Sequence, residues 1–70
     1  MERNDIRLII GRNIHHRRRL SGLSRQTLAD RLGATPRQIG SIESGHRSIT
    51  CDKLISLAAI FGCSVDDLCG

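Results

Sequence analysis

The stretch Leu23–Gly45, LSRQTLADRLGATPRQIGSIESG, constrains the fold more than any other part of the chain. Leu28, Ala29 and Leu32 recur at helical spacing, and Ile39 and Ile42 repeat it three apart a few residues later. Between the two runs stands Gly33, which supplies the positive φ that a short inter-helix turn requires. Ser24 is placed to cap the first helix. Thr35, Pro36 and Gln38 fall at the N-cap, N1 and N3 positions of the second, a capping box with a preset φ. Helices crossing at a tight turn need a small residue at the crossing, and Ala29, four residues before Gly33, provides one. The outward positions of the second helix are Arg37, Gly40, Ser41 and Ser44, which are polar or lack a side chain.

The rest of the chain reads as helix too. No segment shows period-2 alternation over a useful length, so an all-α fold of five helices is expected. A first helix is predicted over Asp5–Leu20, with Ile6, Ile9, Ile10 and Ile14 at helical spacing, Leu8 as an extra contact and Gly22 ending it. Leu23 then turns into the core. After the polar loop His46–Ile49, Thr50 caps a fourth helix with Asp52 in its first turn. Its residues Leu54, Ile55, Leu57, Ala58, Ile60 and Phe61 are apolar on more than one face, which predicts a central helix packed on several sides. Gly62 ends it, and Ser64 caps a short last helix carrying Val65 and Leu68. Seventy residues make one small domain, 1–70 with its core at about 10–68. A chain this size buries only about 60% of its unfolded surface. It is either a very small protein or the amino-terminal piece of a longer one.

Charge separates along the chain. Residues 1–50 carry ten arginines against Glu2, Asp5, Asp30 and Glu43, a net +6, while residues 51–70 carry a net −2. The basic excess thus lies on the same fifty-residue segment as the two-helix stretch. It is nearly all arginine, the side chain suited to bidentate phosphate and guanine contacts. Phe61 is the only aromatic residue, which argues against base-stacking modes of nucleic-acid binding. No apolar run approaches a membrane span and no signal peptide is visible, so a cytoplasmic protein is expected. Cys51, Cys63 and Cys69 are odd in number and not closely paired, which fits small buried or half-buried free thiols. Cys51 falls in the first turn of the fourth helix. With no C-x-x-C pair, and with His15 and His16 adjacent and so on different helix faces, neither metal nor cofactor is expected. Two short helices, a tight turn and a polar, arginine-bearing outer face are the layout of a helix-turn-helix, whose second helix enters a DNA groove.

At these residues the chain resembles the Cro/C1-type helix-turn-helix family of phage repressors and related bacterial regulators. The resemblance runs from about Ile10 to Leu68. It rests on an ordered set of pieces: G-L-S at Gly22–Ser24, L-A at Leu28–Ala29, L-G at Leu32–Gly33, T-x-x-x-I at Thr35–Ile39, I-E-x-G at Ile42–Gly45, then L-x-x-L-A and a terminal V-D-x-L. It implies a compact five-helix, lambda-repressor-like domain that binds double-stranded operator DNA, usually as a symmetric homodimer.

Carried across position by position, the resemblance makes 36–44 the recognition helix. It puts Thr35, Pro36, Arg37, Gln38 and Ser41 at base-reading or groove-edge positions. Pro36 cannot hydrogen-bond a base edge, which moves the readout toward Arg37, whose guanidinium can take guanine O6 and N7 together. Arg25 stands where the family usually has a glutamine that braces backbone and reading side chain; an arginine still reaches phosphate, with less geometric control. Ser24, Ser44 and Arg47 match phosphate-contact positions, although both serines also serve as plain caps. His15, His46 and Arg12 lie nearer the edge of the expected DNA surface. Arg18 and Glu43 match a partly buried ion pair joining the first and third helices. Val65 and Leu68 match positions that pair two subunits, or else close the core. Gly40 is either a site of close DNA approach or a neutral exposed position.

The functional expectation is a sequence-specific DNA-binding transcriptional regulator, a repressor or autoregulator. The competing class is an antitoxin-like or other protein-interaction module on the same fold. An enzyme is not expected, because no Gly-rich phosphate loop, Ser/His/Asp arrangement or metal spacing occurs and Glu43 has no partner carboxylate at helical spacing.

Overall fold

In the computed structural model, which describes residues 3–70, five helices follow one another: α1 Arg3–Leu20, α2 Arg25–Leu32, α3 Pro36–Glu43, α4 Cys51–Phe61 and α5 Val65–Cys69. The first two residues of the expected 1–70 unit lie outside this range. There is no strand among the described residues. The capping signals hold in detail. Ser24, Thr35, Thr50 and Ser64 all have extended backbones and accept a hydrogen bond from the amide three residues on. Each cap satisfies one amide that the first helical turn leaves without a partner. Ser64 also forms a capping box with Asp67, whose carboxylate accepts from the Ser64 amide at 3.1 Å.

The core draws on every helix: Ile14 of α1, Leu28, Ala29 and Leu32 of α2, Ile39 and Ile42 of α3, Leu54, Leu57 and Ala58 of α4, and Leu68 of α5. Leu23, Ile49 and Phe61 pack partly against it. The two-helix stretch buries the residues its periodicity marks, and Gly33 adopts φ 72° at the turn. Its amide closes α2 onto the Ala29 carbonyl.

Four expectations change. The fourth helix is not the central one. α4 does pack on several sides, chiefly on α5 and more lightly on α1 and α2, but α1 is the more central element, packing on α3, α5 and α4, while α3 packs on α1 and α2. Ile55 is 58% exposed and Ala59 is exposed as well, because five short helices cannot cover every face of an apolar eleven-residue helix. Leu68 is fully buried inside the chain, so it closes the core and offers no surface to a second subunit. Val65 remains partly accessible beside it. The thiols of Cys51 and Cys69 are exposed rather than buried; only Cys63 is half-buried. At the other end, α1 begins at Arg3, and its first apolar residues, Ile6 and Leu8, stay nearly half exposed.

What brings α1 so close to α3 is Gly11. A β-carbon at this position would collide with the backbone carbonyls of Ile42 and Glu43, lying 2.7 Å from the Glu43 oxygen. Only a residue without a side chain permits this crossing. Two residues further along α1, Asn13 donates to the Leu68 carbonyl at 2.9 Å and ties α5 down.

Candidate nucleic-acid interface

α3 is held on three sides, and its fourth side is free. Its start is locked by the capping box: Thr35 Oγ1 accepts from the Gln38 amide (3.1 Å), and Gln38 Oε1 accepts from the Thr35 amide (2.9 Å). This uses the carbonyl end of Gln38 and leaves its Nε2 donors available. Ile39 and Ile42 anchor the helix inward. Outward, Arg37 and Ser44 are exposed, and Pro36, Gln38, Gly40 and Ser41 are half-buried. The Ser44 hydroxyl donates back to the Ser41 carbonyl (3.1 Å) and accepts from His46 Nδ1 (2.7 Å) in the tautomer protonated there. The loop that follows is stapled by the amides of His46 and Arg47, both of which donate to the Ser41 carbonyl. Arg47 therefore sits exposed just beyond the end of α3.

Glu43, at the last position of α3, organises the underside of this surface. Its side chain is only 3% exposed and receives donors from three residues. Arg18 donates through Nε to Oε2 at 2.6 Å and through Nη2 to Oε1 at 3.3 Å. His15 donates through Nδ1 to Oε1 at 3.0 Å, and Arg25 through Nε to Oε1 at 3.2 Å. Burial pushes the Glu43 pKa up, but the hydrogen bonds from Arg18, His15 and Arg25 and the charge of Arg18 outweigh it and hold the carboxyl below its ordinary value. Arg18 also donates to the Leu23 carbonyl at 2.9 Å, so one guanidinium binds α1, the loop before α2, and α3 together. Such a cluster fixes geometry more than it adds stability, because burying the charges offsets much of their attraction.

The sequence-based site residues fall into place unevenly. Thr35, Pro36, Arg37, Gln38, Ser41 and Ser44 share the neighbourhood of one helix face, with Arg47 at its end. Ser24 is exposed at the start of α2, its hydroxyl engaged by the Thr27 amide and hydroxyl. Arg12 and His46 are exposed. His15 is turned to Glu43 rather than left free at the edge. Arg25 does not simply point to solvent either. It leans on Glu43 and lies across Gly40, where a β-carbon would sit 3.5 Å from Nη1 and 3.7 Å from Cζ.

Sequence reasoning missed Gly11 and the full membership of the Glu43 cluster. A signal existed for both. A glycine inside a helical run costs about 1 kcal/mol relative to alanine, so it marks close backbone approach. His15 precedes Arg18 by three residues and so shares its helix face. A hollow of about 320 Å³ also lies between α1 and the loop after α3, lined by Ile6, Arg7, Ile10, Ile42, Arg47, Ser48 and Ile49. It adjoins the inward residue Ile42 and none of the outward positions Arg37, Gly40, Ser41 and Ser44.

Comparison with known proteins matches this arrangement to a family. A helix-turn-helix family model matches residues 14–68. The chain belongs to the helix-turn-helix family. It is a DNA-binding regulator of transcription. Over 64 residues this helix-turn-helix protein is 36% identical to the control protein C.SmaI of Serratia marcescens, covering 91% of this chain and 76% of that one. The restriction-modification controller protein C.AhdI of Aeromonas hydrophila has the same fold, with a TM-score of 0.87 at 24% identity over 97% of this chain and 99% of that one. The fold also recurs inside a hydroxypropylphosphonic acid epoxidase from S. wedmorenis, with a TM-score of 0.83 and 25% identity; there it spans 90% of this chain but only 34% of the other. Fold alone therefore does not decide what such a module does. Among the described residues, no helix is long and apolar enough to cross a membrane.

Proposed function

We propose that this helix-turn-helix protein is a repressor or autoregulator that lays α3 in the major groove of operator DNA and acts as a homodimer. One observation carries the reading: the outer face of α3, with Arg37 exposed at its first turn, is the free side of a helix whose other sides are locked by the capping box, the core and Glu43. The major groove, roughly 12 Å wide, admits one such helix. Arg37 takes the main reading role, through guanine O6 and N7. Thr35, Gln38 Nε2 and Ser41 assist, and Pro36 contributes only van der Waals contact. Ser24, Ser44 and Arg47, with the first amides of α2, hold the phosphates. The similarity to C.SmaI and C.AhdI supports control of restriction–modification genes as the biological role.

The dimer surface is assigned to α4 and α5 rather than to the buried Leu68. Ile55 is strongly exposed, Ala59 follows one turn later, and Val65 is partly exposed on the next helix. This end of the chain carries the acidic residues, Asp52, Asp66 and Asp67, so it suits a face turned away from DNA. The protein acts in the cytoplasm, and no catalytic role is assigned to it. The one buried carboxylate among the described residues, Glu43, is held ionised by three donors, the opposite of what a general acid at neutral pH needs.

Selection of bound sites from a random duplex pool tests the reading. The expected product is an inverted repeat with half-sites roughly 34 Å apart. Arg37→Ala should then lose more affinity on the selected site than on a scrambled one. Equal losses on both would reduce Arg37 to a phosphate contact. Failure to enrich any sequence, with binding that ignores salt, would favour the protein-interaction module instead.

A further inference from the structure

We propose that Arg25, although it belongs to α2, is a base-reading residue that works from the place Gly40 leaves empty on the recognition helix. The proposal rests on the reading of α3 as the groove-entering helix, and assigns a specificity-determining residue within that site. Gly40 stands in the middle of the outward face, between Arg37 and Ser44, and contributes no side chain of its own. The guanidinium of Arg25 covers it. Nη1, Cζ and Nε lie 3.5, 3.7 and 4.0 Å from the point where a β-carbon of residue 40 would be. Three guanidinium atoms at nearly equal distances from one point describe a group laid over the helix, not one passing beside it.

The same guanidinium is fixed at one edge. Nε donates to Glu43 Oε1 at 3.2 Å, and Glu43 is itself part of α3. Arg25 is thus tied to the recognition helix by an ion pair and by contact, and keeps its position relative to α3. With Nε directed inward, Nη1 and Nη2 have no hydrogen-bond partner among the described residues, and the side chain is 51% exposed. An arginine arranged this way presents its donors as a fixed fork, the geometry that guanine O6 and N7 accept. A phosphate contact needs only charge at roughly the right distance. Here a side chain with four rotatable bonds is restrained before DNA arrives, which lowers the entropy lost on binding. Gly40 and Arg25 thereby act as one composite reading position: the glycine leaves room and the arginine fills it from the neighbouring helix.

The test is site selection from a random duplex pool with the unsubstituted protein, Arg25→Lys and Arg25→Ala, followed by binding to the selected site with single base-pair changes. The unsubstituted protein should require guanine at one base pair of each half-site in addition to the one that depends on Arg37. Arg25→Lys keeps the charge and loses the fork. It should lose discrimination at that one base pair by roughly 5- to 150-fold while retaining preferences elsewhere in the site. Arg25→Ala should lose the same preference and some overall affinity. If both variants select the same sequence as the unsubstituted protein and only bind it more weakly, Arg25 is a phosphate contact and the proposal is overturned. If the unsubstituted protein enriches no sequence, the DNA-reading assignment of α3 falls and takes this proposal with it. Circular dichroism of the Lys variant separates either result from loss of fold, since a half-exposed arginine replaced by lysine should leave the helical signal unchanged.

Discussion

Replacing Glu43 with glutamine tests the organisation beneath α3 most directly. The change keeps the shape of the side chain and removes its charge. Glu43 is 3% exposed and Arg18 12%, so the pair is largely out of water. Removing one member of such a pair costs about 3–5 kcal/mol, because the other charge is left buried and uncompensated. Glutamine retains one carbonyl oxygen that can still accept from Arg18, which returns part of the loss. It also turns an NH2 group toward a cluster made entirely of donors. The expected net cost is about 3 kcal/mol. In a domain of this size 1 kcal/mol corresponds to about 4–8 °C, so thermal unfolding followed by circular dichroism at pH 7 should shift by roughly 12–24 °C. The pH dependence gives a second readout with a definite sign. The folded Glu43 pKa lies below its ordinary value of 4.5, so the unfolded chain takes up this proton first. The contribution of Glu43 is complete above about pH 4.5 and is lost as pH falls through the folded value. The stability gap between the native protein and Glu43→Gln should therefore narrow on acidification in that range. Asp67 is also shifted down, but it is present in both proteins and cancels in the difference. A cost below about 1 kcal/mol at pH 7, or a gap that stays constant down to pH 3, would refute the view that Glu43 ties the three elements together.

Two glycine substitutions should act in opposite directions in urea unfolding. Gly11→Ala meets the Ile42 and Glu43 carbonyls, which have no rotamer to adjust, and should destabilise by about 3 kcal/mol, whereas Gly40→Ala meets only ordinary contact with Arg25 and should stabilise by roughly 1 kcal/mol. Comparable losses at both positions would contradict the close crossing of α1 and α3. Ile55→Asp should leave the helical signal intact and abolish dimers in sedimentation equilibrium, and persistence of dimers would move the interface away from α4. Arg47→Ala should reduce the slope of log affinity against log salt by about one, and an unchanged slope would remove Arg47 from the phosphate contacts.

Much of the fold was legible because the signals that carry it are local. Ser24, Thr35, Thr50 and Ser64 cap helices through a hydroxyl and an amide three residues away, a relation the chain cannot help forming once the turn closes. Gly33 likewise needs nothing distant to take its positive φ. The order of the apolar residues in α2 and α3 names their buried faces. Legibility ends where a long-range contact chooses between two locally equal outcomes. Val65 and Leu68 are both apolar and both on α5, yet Leu68 is fully buried and Val65 is not. Ile55 and Leu54 are neighbours with similar side chains, and packing against the other helices covers one and exposes the other.

By itself, the sequence determined five helices, their caps and turns, the pairing of α2 with α3, and a basic amino-terminal half opposed to an acidic carboxy-terminal one. Each of these depends on residues at most a few positions apart, or on charge alone. Tertiary structure alone decided that α1 and not α4 is central, that Gly11 carries the crossing of α1 over α3, and that His15 and Arg25 join Arg18 on one buried carboxylate. It also laid an arginine of α2 over a glycine of α3. The reason is physical: hydrogen bonds, caps and turns act over one helical turn, whereas contacts between side chains far apart in the chain exist only after the helices have chosen their neighbours.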